Sequence, residues 1–238
     1  GKLHIKGASD VSQLIIEANS TQSNTSPLFK LRNSLGNDLL WLHADDTSNI
    51  FLGLHAGGFN SISGGGAYNT FVGSNAGKSN TTGPFNTAIG AGSFLSNSTG
   101  ANNTAIGLVS LFSNSSGINN TASGSYSLSS NSTGSENTAS GYGSLFSNTS
   151  GDYNTAMGVN TLFSNVTGSR ATAIGYNAMQ YSNNTGDAFT NYNVAVGYEA
   201  LRGSTDPAAN LGNDNTALGY QTLRSNTTGE ANTASGSG

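Results

Sequence analysis

Apolar and small residues recur along this chain in a fixed long register, not at the 3.6-residue period of a helix. The pentapeptide Asn-Thr-Ala-apolar-Gly starts at Asn69, Asn86, Asn103, Asn120, Asn137 and Asn154 and, with Ala in first place, at Ala171, giving six successive steps of 17 residues. It returns at Asn193 and Asn215 after two steps of 22 and at Asn232 after another 17. A related copy, Asn-Ile-Phe-Leu-Gly, opens at Asn49, 20 residues before Asn69. Two further signals keep the same phase. Ser-Asn-x-Thr/Ser-Gly recurs from Ser79–Gly83 to Ser164–Gly168 and again at Ser225–Gly229. A large apolar residue stands eight places after the opening position at Phe94, Leu111, Leu128, Leu145, Leu162, Met179, Leu201 and Leu223.

In an extended strand, Thr104 and Ile106 point to one side and Ala105 to the other. The closing glycine permits a positive φ or a close backbone approach. Ser-Asn-x-Thr-Gly is turn chemistry. Each unit therefore reads strand, bend, short strand, turn. Seventeen residues would close a ring of roughly 56 Å circumference, and rings would stack about 4.8 Å apart with like side chains in ladders. Asparagine suits such a ladder because its amide both donates and accepts. The expected fold is all-β: a parallel β-solenoid, or β-roll, of 17-residue coils over residues 49–238, with Ala88, Ala105, Ala122, Ala139, Ala156 and Ala173 in one column. The Ile-type residue, the Leu-type residue and the Thr methyl are expected to point inward, so that Ile106→Asp would disrupt its coil. Ser123, Ser140 and Ser235 at the Ile place would then weaken theirs. So few apolar groups are little against the cost of ordering each coil. The persistent alanine suggests a second close-packed face. Together these lead to the expectation of a side-by-side homotrimer.

Residues 1–48 lack the repeat. Leu3–Gly7, Gln13–Glu17, Pro27–Arg32 and Leu39–His43 read as short strands, with Asn33–Asp38 the turn between the last two. A small β-meander capping the first coil is expected, since an uncovered end coil leaves unpaired edges. The two 22-residue units occupy 171–214, and the chain stops inside a fresh repeat, as a segment of a longer protein would.

Composition narrows the function. Charged residues are 8%, the net charge is −4, and glycine numbers 33. With no basic stripe, nucleic-acid binding is not expected. The absence of cysteine excludes disulfides and thiolate metal sites. No apolar run approaches the roughly 20 residues of a membrane span.

Asn86–Gly90 and Asn103–Gly107 (Asn-Thr-Ala-Ile-Gly), each followed by a Ser-Asn-Ser-Thr/Ser-Gly turn, resemble the head repeats of trimeric autotransporter adhesins, whose usual unit is shorter, near fourteen residues. Asn69–Gly77 also resembles repeats of bacterial and phage fibre proteins, which often end in a self-cleaving intramolecular chaperone domain that does not occur in this sequence. Pro27-Leu-Phe-Lys-Leu31 resembles modules that precede such repeats. The resemblance covers roughly residues 49–238. It implies an extracellular trimeric fibre or adhesin at a cell or virion surface and transfers no catalytic residue.

Several motifs invite other chemistry. Gly73–Ser79 mimics a phosphate-binding loop, but its first glycine comes one residue late. Gly36-Asn-Asp38 and Gly212-Asn-Asp214 resemble calcium-binding coil turns, without the tandem copies that let adjacent turns share an ion. His4, His43 and His55 have no metal or dyad spacing, and Asp45-Asp46 reads as a solvated turn. Sequons such as those at Asn97 and Asn114 read as turns, or as glycan acceptors in a secreted eukaryotic chain. A threonine array of the ice-binding kind is interrupted at Val194. No acid–base constellation or cofactor motif is present, so a non-enzymatic role is expected, with self-association as the main partnership. Insertions in a repeat become loops, so a surface glycan or host-cell receptor would meet the long units Tyr181–Tyr192 and Arg202–Asp214. The candidate residues there are Tyr181, Asn184, Asp187, Asn191, Tyr192, Tyr198, Arg202, Asp206, Asn213 and Asp214, offering rings for sugar faces and polar groups for hydroxyls. A receptor-binding tip of a tail fibre is the alternative to a purely structural segment.

Overall fold

The computed structural model describes residues 29–43, 48–182 and 185–238. The strands expected at 3–7 and 13–17, His4, Asp45, Asp46 and Asn184 lie outside the described residues, as does the His43 side chain. A hairpin of β1 (Phe29–Arg32) and β2 (Asp38–His43) is followed by eleven three-residue strands, from β3 (Ile50–Leu52) to β13 (Thr233–Ser235), one per coil. β1–β2 and β2–β3 pair antiparallel, and every later neighbour pairs in parallel, giving one thirteen-stranded sheet in chain order. The protein is a parallel β-solenoid. Ala88 pairs with Ala105, Ala105 with Ala122, and so on through Ala156 and Ala173, so the alanines form one column.

The coil can be followed on residues 103–119. After the strand, Gly107 takes φ +128, and a Cβ there would lie 2.7 Å from the carbonyl of Gly124 one coil on. Only glycine meets both demands. Three non-glycine corners follow at positive φ: Val109 (58°), Leu111 (48°) and Asn119 (58°). Left-handed residues cost roughly 1–2 kcal/mol each. They are held by inter-coil hydrogen bonds, among them Val109 N to Ala91 O at 3.1 Å and Leu111 N to Ser127 O at 2.9 Å.

The two faces of the strand are reversed from expectation. Ala105 is fully buried in the lumen, whereas Ile106 is 41% exposed and Thr104 half-buried on the outer face. The second close-packed surface inferred from alanine is the inside of the coil itself. Ile106→Asp therefore places a charge on the surface of a single chain, not in its core. Ser123 and Ser140 at the same place are solvent-side residues that weaken nothing within their coils.

The physical reason is the width of the lumen. Each coil admits one large apolar side chain between its two walls. In most coils that is the Leu-type residue, such as Leu111, reaching toward Ala105. In the first two coils the sizes are exchanged. Phe51 and Phe71 stand in the alanine column, and Gly57 and Gly77 stand where the leucines would be. A Cβ on Gly77 would lie 2.5 Å from the Phe71 ring, and one on Gly57 2.7 Å from Phe51. Phe51 and Phe71 stack at 5.1 Å between ring centroids. In the next coil the ring switches walls: Ala88 returns to the strand and Phe94 reaches across, 6.5 Å from Phe71.

The rest of the lumen is polar. Asn103 and its equivalents open the coils, except at Ala171, Asn114 and its equivalents lie in the turn, and from Asn49 to Asn165 both columns are buried. In the turn column each Nδ2 donates to the Oδ1 one coil earlier, from Asn80 to Asn60 at 2.7 Å through Asn165 to Asn148 at 3.1 Å. In the opening column the backbone N–H and Nδ2 of Asn120 both donate to Asn103 Oδ1, at 2.9 and 3.1 Å. The two columns meet at the turn glycine: Gly117 O accepts from Asn103 Nδ2 at 2.9 Å and from Asn114 Nδ2 at 3.1 Å.

Reciprocal volume yields a test. Phe71→Ala empties its coil and should cost about 3–5 kcal/mol in chemical denaturation. Adding Gly77→Leu rebuilds the Ala-plus-Leu coil found elsewhere and should restore most of that loss. A double variant no more stable than Phe71→Ala would contradict a shared lumen.

Candidate functional site

The two long coils lie side by side, as insertions in successive coils must. Tyr181 N donates to Arg202 O at 3.1 Å, and Tyr192 N donates to Asn213 Oδ1 at 2.8 Å. Asn210 Nδ2 donates to Tyr181 O and, at 2.9 Å, to Ser204 O. A 3-10 turn, Pro207–Ala209, lies within the second insertion, and the Asp206 carboxylate caps it by accepting from Ala208 N at 3.2 Å.

The candidate residues divide between scaffold and surface. Asn191 is buried and accepts from Asn193 N at 3.1 Å. Tyr198 is half-exposed, yet both ring faces are covered: it stacks on Tyr176 and Tyr220 at 5.3 Å on each side. Tyr198 thus presents its ring edge, not a face, to solvent. The Arg202 guanidinium lies over the Tyr181 ring, 5.1 Å from its centroid. Tyr192 is 49% exposed, with Arg170 3.4 Å from its hydroxyl. Asp187 and Asp214 are exposed. The cavity between the long coils measures about 30 Å³, far below the roughly 300 Å³ or more of small-molecule pockets. A sugar at the long coils would therefore have to bind on their outer surface.

One charged cluster went unnoticed in the sequence. Glu199 stands at a corner in the left-handed conformation (φ 51°) and is buried. Its carboxylate receives Arg224 Nε at 2.7 Å and Gln221 Nε2 at 2.9 Å, with Arg202 3.5 Å away. Burial pushes this carboxyl up. The hydrogen bonds from Arg224 and Gln221 and the charges of both arginines outweigh burial and hold it below the usual carboxylate range. The 22-residue step that joins Glu199 to Gln221 was legible; which side chains turned inward at the corner was not.

The other motifs are absorbed by the coil. Gly73 (φ +135) is a corner glycine and Gly77 makes room for Phe71, so the phosphate-loop mimic is solenoid scaffold. Asp38 pairs with Lys30 at 3.0 Å and Arg32 at 2.6 Å, and Asn213 is occupied by Tyr192 N. Asn97 and Asn114 are wholly enclosed in the turn column, so a folded coil has no space for a glycan there. Among the described residues no cluster of His, Cys, Asp or Glu could hold a metal ion, and no helix is long and apolar enough to cross a membrane. No known family model, characterised protein or solved structure matches the chain.

The depressed Glu199 carboxyl makes a pH prediction. A group lowered in the folded state adds stability above its unfolded value, about 4.3 for glutamate, and loses it as pH falls through the lower folded value. The melting temperature of the parent should drop more between pH 6 and pH 3 than that of Glu199→Gln. Parallel acid profiles would show that the cluster contributes nothing.

Proposed function

We propose that the chain is a structural segment of an extracellular fibre or adhesin, in which three copies pack side by side through the outer strand face. One observation carries this reading. The outer face bears a column of apolar side chains in strand register, including Leu52, Ile89, Ile106, Met157, Ile174 and Leu218, each between 36% and 50% exposed, interrupted by Ser123 and Ser140. An exposed apolar row of this length marks an interaction face. Identical solenoids share one pitch, so copies match row by row along their length. A face of Thr and aliphatic groups also brings few charges into an interface. The resemblance to trimeric adhesin heads supports three copies about an axis and an extracellular setting. A rod built of hydrogen-bonded coils suits reach and surface attachment.

Solution mass of the parent and of an Ile89→Asp/Ile106→Asp variant tests the reading. The parent should have three times the chain mass. The variant should be monomeric, with its β-sheet circular dichroism retained, because both positions are outside the lumen. A parent that is monomeric at micromolar concentration would sink the proposal.

A further inference from the structure

The outer row beside the alanine column changes character along the rod. Strand pairing carries it from Phe29 and Leu42 in the hairpin through Leu52 to Ile106, and it is apolar in each of these first six strands. Ser123 and Ser140 occupy the next two strands in direct register. Four apolar strands follow, from Met157 to Leu218, and Ser235 closes the row. Both interrupting serines lie outside the lumen, so packing within the chain does not call for serine at either place. No member of the row is charged.

A uniform row would fit a neighbouring copy equally well after a slip of one coil, because every coil repeats the same spacing along the rod. A slip repeated from copy to copy builds an open staircase instead of a closed ring. The serine pair removes that degeneracy. With copies parallel and level, serine meets serine and apolar meets apolar along the whole row. A one-coil slip sets an aliphatic group against a hydroxyl at both edges of the gap, and neither then has the surroundings its chemistry needs. An antiparallel neighbour fits worse. The gap divides the row into six apolar strands and four, so aligning gap with gap sets Leu42 against Ser235 and leaves Phe29 beyond the end of the partner row. Single polar residues in an apolar seam fix the register of coiled coils in the same way.

We propose that Ser123 and Ser140 form a register key, which selects parallel, level copies of this same chain as the partner of the outer face. The inference rests on the three-copy reading above and goes beyond it by fixing the direction and height of each copy. An unrelated apolar surface lacks the matching gap and is discriminated against by the same mismatch.

Moving the key tests it. In Ile89→Ser/Ile106→Ser/Ser123→Ile/Ser140→Ile the gap stands two coils earlier, the apolar content of the row is unchanged and the lumen is untouched. Alone, this variant should assemble to the same mass as the parent. Co-expressed with the parent, with tags of different mass read by native mass spectrometry, it should self-sort. Random assortment gives about three-quarters mixed trimers, and mixed trimers should fall about tenfold below that fraction. Level copies mismatch at 89, 106, 123 and 140, and a two-coil slip that realigned the gaps would strip partners at both ends. Two differently tagged parents should mix at random. Random mixing of variant with parent, or a variant that fails to trimerise, would overturn the register key alone. A parent of single-chain mass would overturn it together with the three-copy reading.

Discussion

A buried asparagine amide has two donor hydrogens and an acceptor oxygen, and all must be bonded when water is excluded. In this solenoid the requirement is met only if an identical amide sits one coil away on each side. Asn114 donates to Asn97 at 2.8 Å and to its own coil's Gly117 O at 3.1 Å, and accepts from Asn131 at 2.8 Å. Shifting one coil against the next by a single residue would leave these amides unpaired in the lumen, at about 1–3 kcal/mol for each orphaned group. The columns therefore fix the 17-residue register. The strand pairing, the corner glycines and the left-handed corners follow from it.

The second constraint is volume. A lumen half filled by amides leaves room for one large apolar group per coil, and it is supplied from either wall. This is why alanine recurs so regularly: it is the residue opposite leucine, not the residue of an external face. Where phenylalanine takes its place, as at Phe71, the partner shrinks to Gly77. The aliphatic residues beside alanine in the strand are thereby turned outward and are available to another chain.

The period, the parallel stacking and the alanine column were all legible in the sequence, because a strict repeat can only be satisfied by like stacking on like. The direction of the strand faces was not, since alternation alone cannot say which side of a three-residue strand is inside. Two signals in the sequence do decide it. The exchange of Phe and Gly at 51/57 and 71/77 ties the alanine column to the leucine column across one lumen. Serine at 123 and 140 in the Ile place is tolerated because that place lies outside the lumen. Of the candidate binding residues, Asp187, Tyr192 and Asp214 are on the surface, while Asn191 and Asp206 are spent on local scaffolding. Sequence spacing places an insertion on a coil, but the hydrogen bonds that consume its polar groups depend on the neighbouring coil.

Side-chain amide hydrogen exchange measured by NMR tests the central claim, that the asparagine columns are continuous buried ladders. The Nδ2 protons of Asn97, Asn114 and Asn131 should exchange as slowly as the strand amides of Ala105 and Ala122. The Nδ2 protons of Asn102 and Asn119, which are exposed at the coil corners, should exchange at the rate of free asparagine. Rapid exchange at Asn97, Asn114 and Asn131 would contradict the account.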